Sequence, residues 1–231
     1  MRTETIQYES GVPKFEVPWQ GAVFAAILIA CVFLGMALSR RKKQAFGRLA
    51  SFIQGQAGGS AFFRNFSFSG VYKTRPLAIK NEPGGRNSPD LLAVTFEGPL
   101  FILDLNVSEE GFLKETLEKL GMMKDVDTGD PVFDARFHAA SEVDDLARKY
   151  LANPEIRRRI TALFDGGAVS LELVPCGAAL PGLIRFKKRY SDVEEDLSGE
   201  KLLPLLDALD FLCSEKNGKE FFRKPDVAEK L

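Results

Sequence analysis

The sequence predicts an α+β protein: one N-terminal transmembrane helix followed by a mainly antiparallel sheet with helices packed on one face. Three observations carry this reading. Residues 19–38 form an apolar run without a charge, residues 61–107 read as short extended runs separated by turn residues, and two amphipathic helical patterns follow between 141 and 163. Strands, then helices, then strands and a final helix gather the helices on one side of an antiparallel sheet.

At 231 residues and a net charge of −1, the chain has room for one medium domain plus a membrane segment. The balanced charge offers no electrostatic argument for nucleic acid as a partner. Cys31, Cys176 and Cys213 form neither a C-x-x-C pair nor a zinc-like spacing, so they read as buried apolar thiols. A Cys176–Cys213 disulfide would require an oxidising compartment.

From Trp19 to Leu38 the run is long enough to cross the roughly 30 Å hydrocarbon core as a helix. A cleavable signal has a basic leader and a shorter apolar centre of about 7 to 15 residues. Here the leader carries Glu4, Glu9 and Glu16 against Arg2 and Lys14, while Arg40, Arg41, Lys42 and Lys43 open the far side. The positive-inside rule places the N-terminus outside and the rest in the cytoplasm, as in a bacterial-type protein of the inner (plasma) membrane. The four basic residues are then placed for contact with lipid headgroups. Ala22, Ala26 and Ala30 recur every four residues and suit self-association of this helix.

The predicted divisions are a short extracytoplasmic tail (1–18), the transmembrane helix (19–38), a basic juxtamembrane helix with a Gly-rich hinge (39–60), a cytoplasmic α+β domain (61–216) and a polar C-terminal tail (217–231). In the juxtamembrane segment Phe46, Leu49, Phe52 and Ile53 share a face at helical spacing, which suits a helix on the bilayer surface, a stalk, or a helix packed on the domain. "QGQAGGSA" reads as the hinge.

Beyond it, "FSFSGVYKTRPLAI" predicts one or two strands, "NEPGGRNSPD" an exposed loop, and "LLAVTFE" and "PLFILDLNV" further strands. Ser108 with Glu109 and Glu110 suits the start of a helix through Leu113, Leu117 and Leu120, ending at Gly121. "VFDARFHAA" alternates as a half-buried strand, with Asp134, Arg136 and His138 on its polar side. Ser141 and Asp144 suit a capping box for a helix burying Val143, Leu146, Ala147 and Tyr150 or Leu151. Asn153 and Pro154 suit the N-cap and first turn of a helix burying Ile156, Ile160 and Leu163. "AVSLELV" and "LIRFKKRY" predict two strands, and "EKLLPLLDALDFL" a last helix.

The stretch "GDPVFDARFHAASEVDDLARKYLANPEIRRRITAL" resembles a segment of bacterial membrane-anchored proteins of unknown function. In these, a G-[DN]-x-x-F-[DE]-x-x-F strand precedes a short acidic-capped helix and then a Pro-started one. The resemblance implies an order of elements and no activity, ligand or catalytic residue. His138, Ala139 and Ala140 depart from it, standing where β-branched residues are more usual.

No catalytic, cofactor or metal pattern is present. The glycine pairs lack both G-x-G-x-x-G and a Walker lysine, G-x-S-x-G is absent, and Glu142, Asp144 and Asp145 lack EF-hand spacing. Asp134, Arg136 and His138 form the one polar grouping that includes the sole histidine. The expected function is therefore that of a protein-binding or membrane-surface module. The alternative is a membrane-tethered enzyme or small-ligand domain with its site near His138.

Overall fold

The computed structural model describes residues 19–60, 65–84, 89–98, 102–109, 124–175, 182–189, 192–214, 217 and 221. The tail at 1–18, the helix expected through Leu113 and Leu120, and nearly all of 217–231 lie outside the described residues. The chain divides into two compact units, Met1–Leu38 and Ser39–Leu231.

In the first unit, helix α1 (Trp19–Arg48) begins. Phe24, Ile27, Leu28, Phe33 and Leu34 are exposed, an apolar surface along the helix. Among the described residues one helical stretch, Val23–Ser51, is long and apolar enough to cross a bilayer, with a mean hydropathy of 2.2 in its most apolar window.

In the second unit, the last turn of α1 presents Ala45 and Phe46 to the domain core, and a turn of 3-10 helix (Leu49–Ser51) adds Leu49 and leads to buried Ile53. The juxtamembrane segment is thus part of the domain. The stretch read as a hinge is strand β1 (Gln54–Ser60). Its glycines are accommodated by pairing with β2 (Asn65–Tyr72), whose Phe68 ring fills the space that a Cβ on Gly55 would take.

β3 (Arg75–Glu82) and β4 (Leu91–Glu97) extend the meander, and β5 (Leu105–Glu109) and the two-residue β6 (Lys124–Asp125) follow. Next come α2 (Pro131–Asp134), β7 (Phe137–Ser141), α3 (Asp144–Leu151) and α4 (Pro154–Asp165). The chain ends in β8 (Ala168–Val174), β9 (Leu183–Arg189), α5 (Val193–Asp196) and α6 (Gly199–Leu212). Among the described residues the strands form one nine-stranded sheet in the order β1-β2-β3-β4-β9-β8-β5-β7-β6, every pairing antiparallel.

The register aligns Phe68, Ile79, Val94, Phe186, Leu171, Val107 and Ala139 in one apolar row across the sheet. All are buried, and because strand side chains alternate, this row defines the face that the helices cover. Phe46 of α1 packs on Phe66, and Phe164 of α4 on Phe137. Tyr72 bonds to Asp207 of α6, and Lys188 pairs with Asp196 of α5. Each of these sheet residues lies on the covered face, as an α+β layering requires.

Three local expectations are corrected. "VFDARFHAA" is extended only from Phe137, because Asp130 accepts hydrogen bonds from the N–H groups of Val132 and Phe133, and Pro131 opens a helical turn. Phe133 and Phe137 still pack together, with ring centroids 4.8 Å apart, since residues four apart meet across a helical turn. Ser141 does not cap α3. Val143 holds the N-cap position and is exposed, while the Ser141 hydroxyl donates to Asp104 at 3.0 Å and accepts from Val143 N–H. Ser108, expected to start a helix, lies within β5 opposite His138 and Ser170. Asn153 and Pro154 do cap and open α4 as expected.

Candidate functional site

The basic quartet after the apolar run is divided by the helix on which it sits. Positions 42, 45, 46 and 49 lie on one face, so the geometry that buries Ala45, Phe46 and Leu49 also turns Lys42 inward. Lys42 Nζ reaches Asp90 Oδ2 at 2.7 Å, and the same carboxylate accepts the Gly84 N–H at 2.9 Å. Arg40, Arg41 and Lys43 are exposed on the rest of the helix. Of the four predicted headgroup contacts, three face solvent and one pins the helix to the β3–β4 connection.

Asp134, Arg136 and His138 are not brought together, because the helical turn before β7 removes the shared strand face. Asp134 accepts from the Thr128 hydroxyl at 2.7 Å. Arg136 bridges Glu109 at 3.2 Å and Asp165 at 2.8 Å. His138 Nδ1 lies 3.1 Å from Asp125 Oδ1, on the strand next to it.

A cleft of about 440 Å³ opens between α2 and α4. Its charges are paired: Arg157 with Asp130 at 3.0 Å and Arg136 with Asp165 inside it, and Arg158 with Glu155 beside it at 2.7 Å. The two backbone N–H groups, then Arg157, hold the Asp130 carboxyl below the usual carboxylate range. Such a carboxylate is a weak base and suits holding a loop better than moving a proton. Val132, 81% exposed, stands at the cleft's rim.

Basic side chains of α4 and β9 are likewise paired within the domain. Arg158 and Arg159 share Glu155, Lys187 pairs with Glu82 at 3.0 Å, and Lys188 with Asp196 at 2.8 Å. Among the described residues no group of His, Cys, Asp or Glu is placed to hold a metal, and no buried side-chain polar atom lacks a partner.

A polar clasp that the sequence reading passed over joins the β2–β3 turn to α6. Tyr72 donates to Asp207 at 2.8 Å, Lys73 reaches Asp207 at 2.8 Å and Asp210 at 3.0 Å, and Arg75 reaches Asp210 at 2.9 Å. Arg75 also donates to the Cys213 carbonyl at 3.1 Å, placing positive charge at the C-terminal end of α6. Its signal was the spacing Asp207/Asp210 on a helix that is apolar beyond its first turn, opposite a turn with three polar donors.

Burial, then the bond to Asp207, pushes Tyr72 up to about 12, and burial pushes Cys213 up to about 12. The hydrogen bond to Asp207 raises Lys73 as well. Groups whose folded pKa is raised contribute stability that is complete below their unfolded values and lost as pH rises through the folded ones. Stability measured by urea titration should therefore fall between about pH 9 and 12. Tyr72→Phe should remove part of the loss above about pH 10. Parallel losses in both proteins would dismiss Tyr72 as a source.

Comparison of the chain with protein-family models and with curated proteins finds no match.

Proposed function

We propose that the chain is a single-pass membrane protein of the inner (plasma) membrane, N-terminus outside, whose cytoplasmic domain is a protein-binding or membrane-surface module. The observation that carries this is the exposed trio Arg40, Arg41 and Lys43 directly after an exposed apolar run, with Lys42 already used by the fold. Three such cations favour the cytoplasmic side and contribute about 1 kcal/mol each near anionic headgroups. The paired state of the cleft charges supports binding rather than proton transfer. Kinship with the membrane-anchored proteins that the "GDPVFDARF" stretch resembles belongs to the same proposal. Its Gly129 has φ +74, Asp130 caps α2, and Phe133 and Phe137 are buried, so each residue of that pattern shapes the turn into β7.

Reporters fused after Leu231 test the topology. The natural chain should light a cytoplasmic reporter, and Arg40→Glu/Arg41→Glu/Lys43→Glu should move a large share of the molecules to the opposite orientation, with Lys42 left to hold the domain. An extracytoplasmic reporter in the natural chain would refute the proposal. Cross-linking of the full chain in its membrane at native abundance tests the binding role. A reproducible protein partner supports that role, and lipid cross-links alone point to the bilayer surface.

A further inference from the structure

Among the described residues strand β1 ends the nine-stranded order, so only one of its edges is hydrogen-bonded to another described strand. Residues 54–59 are all exposed. Sheet edges are ordinarily blunted by charge, proline, a bulge or shortness, because a free row of N–H and C=O groups templates another strand. β1 uses none of these. Its seven residues, QGQAGGS, carry no charge and no proline. Its register with β2 runs unbroken from Gln54↔Val71 to Ser60↔Asn65.

Glycine weakens a strand, so three in this one require a reason. Gly59 has one within the chain: its φ is +108, and a Cβ would lie 2.0 Å from the Asn65 carbonyl oxygen. Gly55 has another, since its missing Cβ leaves room for the Phe68 ring. Gly58 has none, because a Cβ there would meet only the Ser67 hydroxyl at 3.4 Å, an ordinary contact.

We propose that β1 pairs with β1 of a second copy of this chain, antiparallel about a two-fold axis at Ala57, joining two sheets into one. That register sets Ala57 against Ala57, Gln56 against Gly58, Gly55 against Gly59 and Gln54 against Ser60. No charge meets its like, and Gly58 clears the space that the facing Gln56 needs. The pairing is isologous and closes at two copies. An edge without charge offers little to select a foreign sequence, whereas self-pairing needs only backbone bonds and small residues across the axis. This interface is separate from any contact through Ala22, Ala26 and Ala30.

The test uses the full chain in mild detergent and in liposomes, with Cys31 and Cys176 changed to serine and buried Cys213 kept. Across the proposed axis the two position-57 side chains are about 5 Å apart, and the two position-54 side chains ~20 Å. Oxidation should give about ten-fold more disulfide-linked dimer for Ala57→Cys than for Gln54→Cys, because only the former lies within disulfide reach. Ala57→Lys, which opposes two ammonium groups, should yield monomer by light scattering with unchanged thermal unfolding. Equal cross-linking at both positions, or a monomeric natural chain, would overturn the proposal. So would a dimer that survives Ala57→Lys and is lost in Ala26→Leu, which would assign self-association to the apolar helix.

Discussion

Lys188→Met is expected to destabilise the domain by about 3–5 kcal/mol, because it strands the Asp196 carboxylate without its partner. Lys188 and Asp196 are 4% and 8% exposed, and their charges meet at 2.8 Å beneath α5. Removing one member of such a pair leaves a nearly buried charge without its partner, while removing both leaves a site that packing can fill. The double substitution Lys188→Met/Asp196→Leu should therefore recover most of the loss, to within about 1 kcal/mol of the natural protein. Urea denaturation of the four proteins of this cycle decides the matter. Additive losses would show that the two side chains act independently and that the ion pair is not what holds α5 to β9.

Phe68→Ala is expected to cost about 3–5 kcal/mol, the range for emptying a large aromatic site in a core. The ring is 0% exposed and sits in the apolar row between Ile79 and the strand edge. It also occupies the space beside two glycines: Phe68 Cζ lies 2.6 Å from where a Cβ of Gly55 would stand, and Cε1 2.8 Å from that of Gly70. The substitution should thus loosen β1 beyond its effect on global stability. Hydrogen exchange would register this as faster exchange at residues 54–59 than in a core variant of equal stability, such as one truncated at Leu171. Equal protection of β1 in the two variants would confine Phe68 to an ordinary core role.

Much of this architecture was legible in residue order. Alternation in "LIRFKKRY" places Ile184, Phe186 and Lys188 on one face, so the parity of β9 already put a lysine on the core side. The apolar run at 19–38, the Asn153–Pro154 start of α4 and the Gly166–Gly167 stop were each legible because capping and hydrophobic period act between residues close in the chain. The polar grouping of Asp134, Arg136 and His138 failed for a local reason that was also visible: Asp130 and Pro131 are as good a helix start as Asn153 and Pro154, and a two-residue period hid it.

What residue order determined by itself is therefore the class of the molecule: a long uncharged apolar helix, basic residues at its end, and an α+β domain of alternating strands and capped helices. Tertiary structure alone decided where the charges went. Lys42 is taken by Asp90, Arg136 by Glu109 and Asp165, and Lys188 by Asp196, partners separated by 27 residues or more except in the last case. It also decided that the glycine-rich "QGQAGGS" is an edge strand rather than a hinge, since that depends on the Phe68 ring of the neighbouring strand. The reason is the same throughout: a charge or a glycine takes its meaning from what lies across the sheet or beneath the helix, and no local pattern encodes that neighbour.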